Sequence, residues 1–398
     1  MFFKLGKRFF PALLVILFLL VVIVGWNLTV KKSRKIALVS VPPAISQKTN
    51  ISTGNVPKIP FVLPSGYVIH QFAEGLGSPR VMKFSPGGTL LVSDIQGNRI
   101  IALPDNKHQG AATSQKVVVS SGNHLHGLAF YGGKLYVAEV DKVVRYNWDE
   151  RTLTASFDKV LFTLPGNNDH NNRTITFDSS GRMYVSVGST CDVCLESSPL
   201  SATVLISDAD GNNPRVFAKG LRNAAFTAMN PVTNELWGTE MGRDYLGDNV
   251  PPDEINIIRA GADYGWPFCY GNKIFDTNFG RSQTDPCPNT QGPLYEIPAH
   301  SAPLGLSFIN SPQFPGDWQN DLLVAYHGSW NRTVPSGYKI VHMKVVGNQI
   351  TRVDDFLTGF LQGGMPLARP VDLVFDSLGN LYISDDKAGN IYLVQKQQ

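Results

Sequence analysis

Two short apolar strands joined by a turn of Gly, Asn or Pro recur six times between residues 79 and 385. The copies read PRVMKFSPGGTLLVSD from Pro79, HGLAFYGGKLYVAE from His126, RTITFDSSGRMYVSVG from Arg173 and NAAFTAMNPVTNELWGTE from Asn223. APLGLSFINSPQFPGDWQNDLLVAYHG follows from Ala302, with a longer turn, and RPVDLVFDSLGNLYISDD from Arg369. Each unit has about 55 residues, room for four short strands and their loops, and all-β repeats of that length stack as propeller blades. Long helical periodicities are absent. A β-sandwich or two separate β domains would not account for six similar hairpins. The chain is therefore expected to form an all-β, six-bladed β-propeller over residues 66–398, with the strand after Gly66 pairing with the last blade to leave no open edge.

The N-terminus belongs to another class. Phe9–Trp26 is an apolar run of eighteen residues broken only by Pro11 and Gly25, and Lys4, Lys7 and Arg8 precede it. It is long enough for a transmembrane helix, and no small-x-small cleavage site precedes Asn27, so residues 1–35 read as an uncleaved membrane anchor. Basic residues on both flanks leave its orientation open. Residues 36–65, with five prolines among Ser, Thr and Asn, read as an extended linker.

Charge follows the same division. Of 35 Lys and Arg, seven lie in residues 1–35, which hold no acid, so the remainder carries 28 against 32 Asp and Glu, a net of −4. A mildly acidic body lacks the basic footprint of a nucleic-acid partner.

The richest stretch is Gly220–Gly271. Its long polar loop carries Asp244, Asp248, Asp253 and Glu254 among glycines and prolines. Carboxylates and ladder-free carbonyls are the ligands a hard cation such as calcium takes. GLRN, TE-x-G, DEIN and G-x-x-YGWP follow one another in this span. Four motifs in that order resemble the soluble quinoprotein sugar dehydrogenases, the glucose and sorbosone dehydrogenase family, and the HGSWNR wording resembles its sorbosone branch.

The resemblance implies pyrroloquinoline quinone (PQQ) and calcium as cofactors, a sugar or sugar-derived aldehyde as substrate, and a respiratory electron acceptor. It implies that His170 is the general base, with Asp169 beside it to orient the ring or hold substrate. Neutral imidazole accepts protons near pH 7, as removal of a hydroxyl proton requires. Arg222 would stabilise charge on the reduced cofactor, and Asn223, Arg332, Arg369 and Trp330 would bind it; a core position for Trp330 is the alternative. Gly242 and Arg243 match the calcium-binding carbonyls and Asp253 the carboxylate, with Asp244 and Asp248 as substitutes; an empty acidic loop is the plain alternative. His300 and His327 are weaker candidates. Two family contacts are missing: a second arginine falls on Val371, and a glutamine falls near Gly122.

Cys191-x-x-Cys194 and the pair Cys269 and Cys287 lack the spacing of a zinc knuckle and any thioredoxin-like βαβ. Two local disulfides, Cys191–Cys194 and Cys269–Cys287, are preferred over zinc or redox catalysis, and they place the body outside the cytoplasm. Sequons at Asn172 and Asn331 lie beside proposed site loops, where a glycan would obstruct entry, which points to a bacterial periplasm. A calcium-dependent lactonase and a noncatalytic binding propeller are the rival functions.

Overall fold

The computed structural model describes residues 56–105, 109–166, 169–281 and 284–397. The expected membrane helix, and the linker as far as residue 55, lie outside them. Among the described residues no helix is long and apolar enough to cross a membrane.

Each repeat becomes one antiparallel four-stranded sheet, and there are six. The first strand of each blade lies against the first strands of both neighbouring blades, the sixth closing on the first. These inner strands are Pro79–Phe84, Gly127–Tyr131, Ile175–Phe177, Phe226–Met229, Pro303–Phe308 and Pro370–Phe375. The sixth blade is completed by the N-terminal strand Tyr67–Ala73, which pairs antiparallel with Asn390–Lys396, Ile69 opposite Val394. The expected closure is thus observed, and it ties both ends of the propeller into one sheet.

Packing explains the repeat pattern. Second strands are covered on both faces by adjoining blades, so Leu90–Asp94, Met183–Val187, Leu236–Glu240, Leu322–Tyr326 and Leu381–Asp385 are buried throughout. Trp237, fully buried against Phe308 of the next blade, shows how aromatic area fills the wedge between sheets. Outer strands such as Thr154–Thr163 face solvent and carry no fully buried residue.

The linker ends earlier than expected. Val62 forms a β-bridge with Thr358, and Phe61 packs edge-on against Phe360 and Tyr392. Gly359, at φ +98°, lets the Pro60 carbonyl approach where a Cβ would clash. Ile59, Phe61 and Leu63 pack together against the core and dock this segment on the propeller.

Candidate active site

In an antiparallel blade the start of the first strand and the end of the second lie at the same end of the channel. The loops entering each inner strand and leaving each second strand therefore ring one mouth. The opposite end holds a cavity of about 590 Å³ lined by Lys83, Thr176, Thr227 and Ser307, with none of the predicted site residues.

A repeated device holds the entering loops. The residue that ends the second strand, or in blade 2 the one just after it, is acidic in four blades, and its carboxylate accepts a backbone N–H from the loop entering the inner strand. Asp94 accepts from Ser78 (2.7 Å), Glu139 from Asn123 (2.6 Å), Glu240 from Asn223 (2.9 Å) and Asp385 from Arg369 (2.9 Å). In blade 5 the position is Tyr326, and the Ala302 N–H is taken instead by Asp253 of blade 4 (2.8 Å).

Blade 3 has Val187 there and reverses the polarity. The guanidinium of Arg173, a fully buried side chain, donates to the carbonyls of His170 (2.7 Å), Asn172 (3.0 Å) and Pro165 (3.2 Å). The buried charge holds this loop by its carbonyls, where a carboxylate would hold it by an N–H group.

His170 stands on this loop, half-buried. Its Nδ1 lies 3.1 Å from the Ser189 carbonyl and 2.8 Å from Ser189 Oγ. A carbonyl can only accept, so Nδ1 carries the proton and the neutral ring has Nε2 as its basic nitrogen. Ser189 Oγ donates in turn to the Cys191 carbonyl (2.7 Å). Burial, then the positive charge of Arg222, pulls the His170 pKa down to about 3, so the ring is neutral at physiological pH. A Cβ at Gly188 would come within 2.5 Å of His170 Cβ, so the ring uses the room that glycine leaves. Asp169 departs from expectation: it is exposed, and its carboxylate bonds no described residue, so Ser189 rather than Asp169 orients the base.

Arg222 is joined to this group through the backbone, its carbonyl accepting the Ser189 N–H (2.7 Å). Its guanidinium is buried and donates to the Asp192 carbonyl (2.9 Å), Asp192 Oδ1 (2.8 Å), Asp244 Oδ2 (3.2 Å) and the Met241 carbonyl (3.3 Å). Four of its five N–H donors are thus engaged, and the fifth has no partner among the described residues. Burial raises the Asp244 pKa, which Arg222 opposes. Asn223 sits alongside, its amide 3.5 Å from Met241 sulfur.

Blade 5 reaches the same cluster. Asn331 Nδ2 donates to Asp244 Oδ1 (2.6 Å) and lies 3.3 Å from His300 Nδ1, while His300 Nε2 meets the Gly247 carbonyl (2.9 Å). Arg332 donates to the Ala299 carbonyl and Asn249 Oδ1, each at 3.1 Å. Arg369 donates to the carbonyls of His327 and Gly328 and lies over the Tyr338 ring. His327 bonds Asp386 (2.9 Å), which also pairs with Arg80 (2.6 Å). Trp330 is neither core nor in this cluster: it is 66% exposed at the rim, edge-on to Tyr245. Val371 is buried in the core and supplies no donor.

The proposed metal ligands separate. Both Asp253 oxygens accept backbone N–H groups, from Gly242 (3.0 Å) and Ala302 (2.8 Å), and burial pushes its pKa up to about 7. A carboxylate turned onto backbone donors is a brace, which corrects the expectation for Asp253. The Gly242 and Arg243 carbonyls accept no hydrogen bond among the described residues and so fit a hard cation. Arg243 turns its guanidinium to Asp276 (2.6 Å).

Both expected disulfides are formed, Cys191–Cys194 and Cys269–Cys287, which leaves none of the four cysteines a thiolate for zinc. Sequence reasoning missed Ser189, Asp192 and the role of Arg173. The break in the acidic repeat position at Val187 was the available signal.

Comparison with known proteins agrees with the propeller fold. The TrAA12-like family model matches residues 61–397. An uncharacterized protein of Borreliella burgdorferi is 30% identical, the match covering 83% of this chain and 90% of that one. A pyrroloquinoline quinone-dependent sugar dehydrogenase of Hypocrea jecorina is 26% identical over 84% of this chain and 89% of its own. A calcium structure of a Trichoderma reesei family AA12 protein superposes with a TM-score of 0.76 at 24% identity, covering 88% of this chain and 100% of that one. With six blades, a half-buried His and a buried Arg at one mouth, and a family match over nearly the whole propeller, the chain belongs to the TrAA12-like family.

Proposed function

We propose that this protein is a quinoprotein oxidoreductase that oxidises a sugar hydroxyl, or a sugar-derived aldehyde of the sorbosone kind, with PQQ as cofactor and His170 as base. The observation that carries the reading is the coupling of His170 to Arg222 through Ser189, which sets a neutral imidazole of defined tautomer beside a buried guanidinium. The name of the Hypocrea jecorina relative supports the cofactor and the substrate class.

PQQ, when bound, supplies a two-electron acceptor carrying three carboxylates. The residues that fit it are Arg222, Asn223, Arg332 and Arg369, and buried Nε groups of Arg80 and Arg332 that have no partner among the described residues suit an anionic ligand. His170 Nε2 takes the substrate hydroxyl proton, and Ser189 keeps the ring in register. Arg222 stabilises negative charge in a site shielded from water. Calcium would use the Gly242 and Arg243 carbonyls, and the calcium structure from Trichoderma reesei supports that choice of ion. Trp330 and Tyr245 stand where substrate would enter. The N-terminal anchor, a periplasmic body and a respiratory acceptor complete the proposal; the two disulfides support an oxidising compartment.

A lactonase would need acidic ligands from several blades on one ion. Among the described residues, the groups of three metal-competent side chains close enough to share an ion both contain disulfide-bonded cysteines. Calorimetric titration of PQQ into the purified chain, with calcium and then with a chelator, tests the reading. Calcium-dependent binding followed by sugar-dependent dye reduction is the expected result. Absence of binding in both conditions would overturn it in favour of the noncatalytic propeller.

A further inference from the structure

We propose that Asp192 is a positioning residue for Arg222 and that the Cys191–Cys194 disulfide holds it in place. The proposal rests on the functional reading in one respect, that Arg222 is the charge facing the cofactor.

Asp192 lies between the two bridged cysteines, on the loop leaving the second strand of blade 3, yet its contacts are with blade 4. It grips Arg222 at two points, by its carbonyl at Nε (2.9 Å) and by Oδ1 at a terminal nitrogen (2.8 Å). The same Oδ1 accepts the Asp244 N–H (2.7 Å), and the carbonyl also meets the Trp266 indole N–H (3.4 Å). One residue therefore sets the plane of the guanidinium and the position of the second carboxylate that pairs with it. Both grips must stay fixed for that plane to be defined, and the carbonyl grip depends on the backbone alone.

The backbone is held by the bridge. A ring closed by cysteines three apart restrains the unfolded chain far less than the Cys269–Cys287 bridge, eighteen apart, so its effect is chiefly local. Two further contacts brace the loop. Thr190 gives its N–H and hydroxyl to the Glu196 carboxylate, both at 2.7 Å, and Ser189 gives its hydroxyl to the Cys191 carbonyl. Cys191 and Cys194 are partly exposed, whereas Cys269 and Cys287 are buried, so a mild dithiol reaches the site bridge first. In that exchange the bridge becomes two thiols and the dithiol becomes a cyclic disulfide. The geometry thereby makes the order of Arg222 sensitive to the redox state of its neighbour.

The test uses the full chain labelled with ¹⁵N-arginine, the Arg222 Nε–H signal being assigned by its loss in R222K. Three readouts are taken: exchange of that proton with solvent, PQQ affinity by calorimetry, and the thermal midpoint. C191S/C194S, which frees the backbone carbonyl that accepts the Nε–H, should raise the exchange rate at least about tenfold, and both it and D192A, which removes the Oδ1 grip, should raise the Kd for PQQ at least about tenfold, as expected for loss of a charge-assisted hydrogen bond. The midpoint should move by only a few degrees, and D192N, which keeps an oxygen acceptor, should recover part of the loss. Should D192A fold poorly, mild dithiol treatment of the unmodified chain must produce the same rise in exchange. Unchanged Arg222 exchange in C191S/C194S and after dithiol treatment would overturn the proposal. Failure of the unmodified chain to bind PQQ would sink the functional reading instead, while the exchange measurement would still decide the role of Asp192.

Discussion

Blades 3 and 4 face the same structural problem and answer it with opposite polarity. Each must hold the loop that enters its inner strand. Blade 4 does so with a buried carboxylate, Glu240, accepting the Asn223 N–H, as blades 1, 2 and 6 do with theirs. Blade 3 does so with a buried guanidinium, Arg173, donating to three carbonyls. The difference falls where the base stands. A carboxylate beneath His170 would favour the imidazolium; a cation there, with Arg222 beyond it, favours the neutral ring that can accept a proton. Repetition supplies the geometry of the mouth, and one departure from it supplies the electrostatics.

The comparison breaks most visibly at Arg173. R173M should lower stability by about 3 kcal/mol in urea unfolding, because three carbonyls lose the donor that a buried side chain supplies. A silent R173M would mean that the loop is held by something else.

Gly188 tests the same contact sterically. G188A, whose Cβ would stand 2.5 Å from His170 Cβ, should reduce dye-linked sugar turnover about a hundredfold, since misplacing a base by about an ångström costs that much. Its unfolding midpoint should fall by no more than several degrees, the ordinary effect of overpacking, so that the loss of turnover exceeds what destabilisation explains.

Acid sharpens the electrostatic half. The folded pKa of His170, about 3, lies below its value of about 6.5 in an unfolded chain, so the unfolded state binds the proton more readily. The contribution is complete above pH 6.5 and is lost as pH falls toward 3, at up to about 1.4 kcal/mol per pH unit. H170N should flatten that part of the stability profile in pH-dependent urea titrations, and an unchanged slope would assign the acid limb to other groups.

The smallest effect belongs to blade 4. E240Q keeps an oxygen for the Asn223 N–H and should cost about 1 kcal/mol or less by the same denaturation assay. A loss as large as that of R173M would remove the distinction between an acceptor brace and a charged one.

How much was legible follows from the range of each interaction. The turns and alternating apolar residues of the six copies are local signals, and so are the closely spaced cysteine pairs, so fold, closing strand and bridges could be read directly. His170 and Arg222 came from motif wording. Asp253 and Asp169 were assigned by motif as well, and motif wording does not show that Asp253 turns both oxygens onto backbone N–H groups or that Asp169 stands exposed, away from the His170 ring.

The amino-acid sequence by itself determined the blade count, the all-β class and the family, because each is written in contacts within one repeat or in motifs along one strand and loop. Only the tertiary structure decided which groups share the mouth. Ser189 meets His170 across nineteen residues, Asp192 meets Arg222 across thirty, and Asn331 meets Asp244 across eighty-seven. Those distances collapse when the ring closes, and no local pattern along the chain records them.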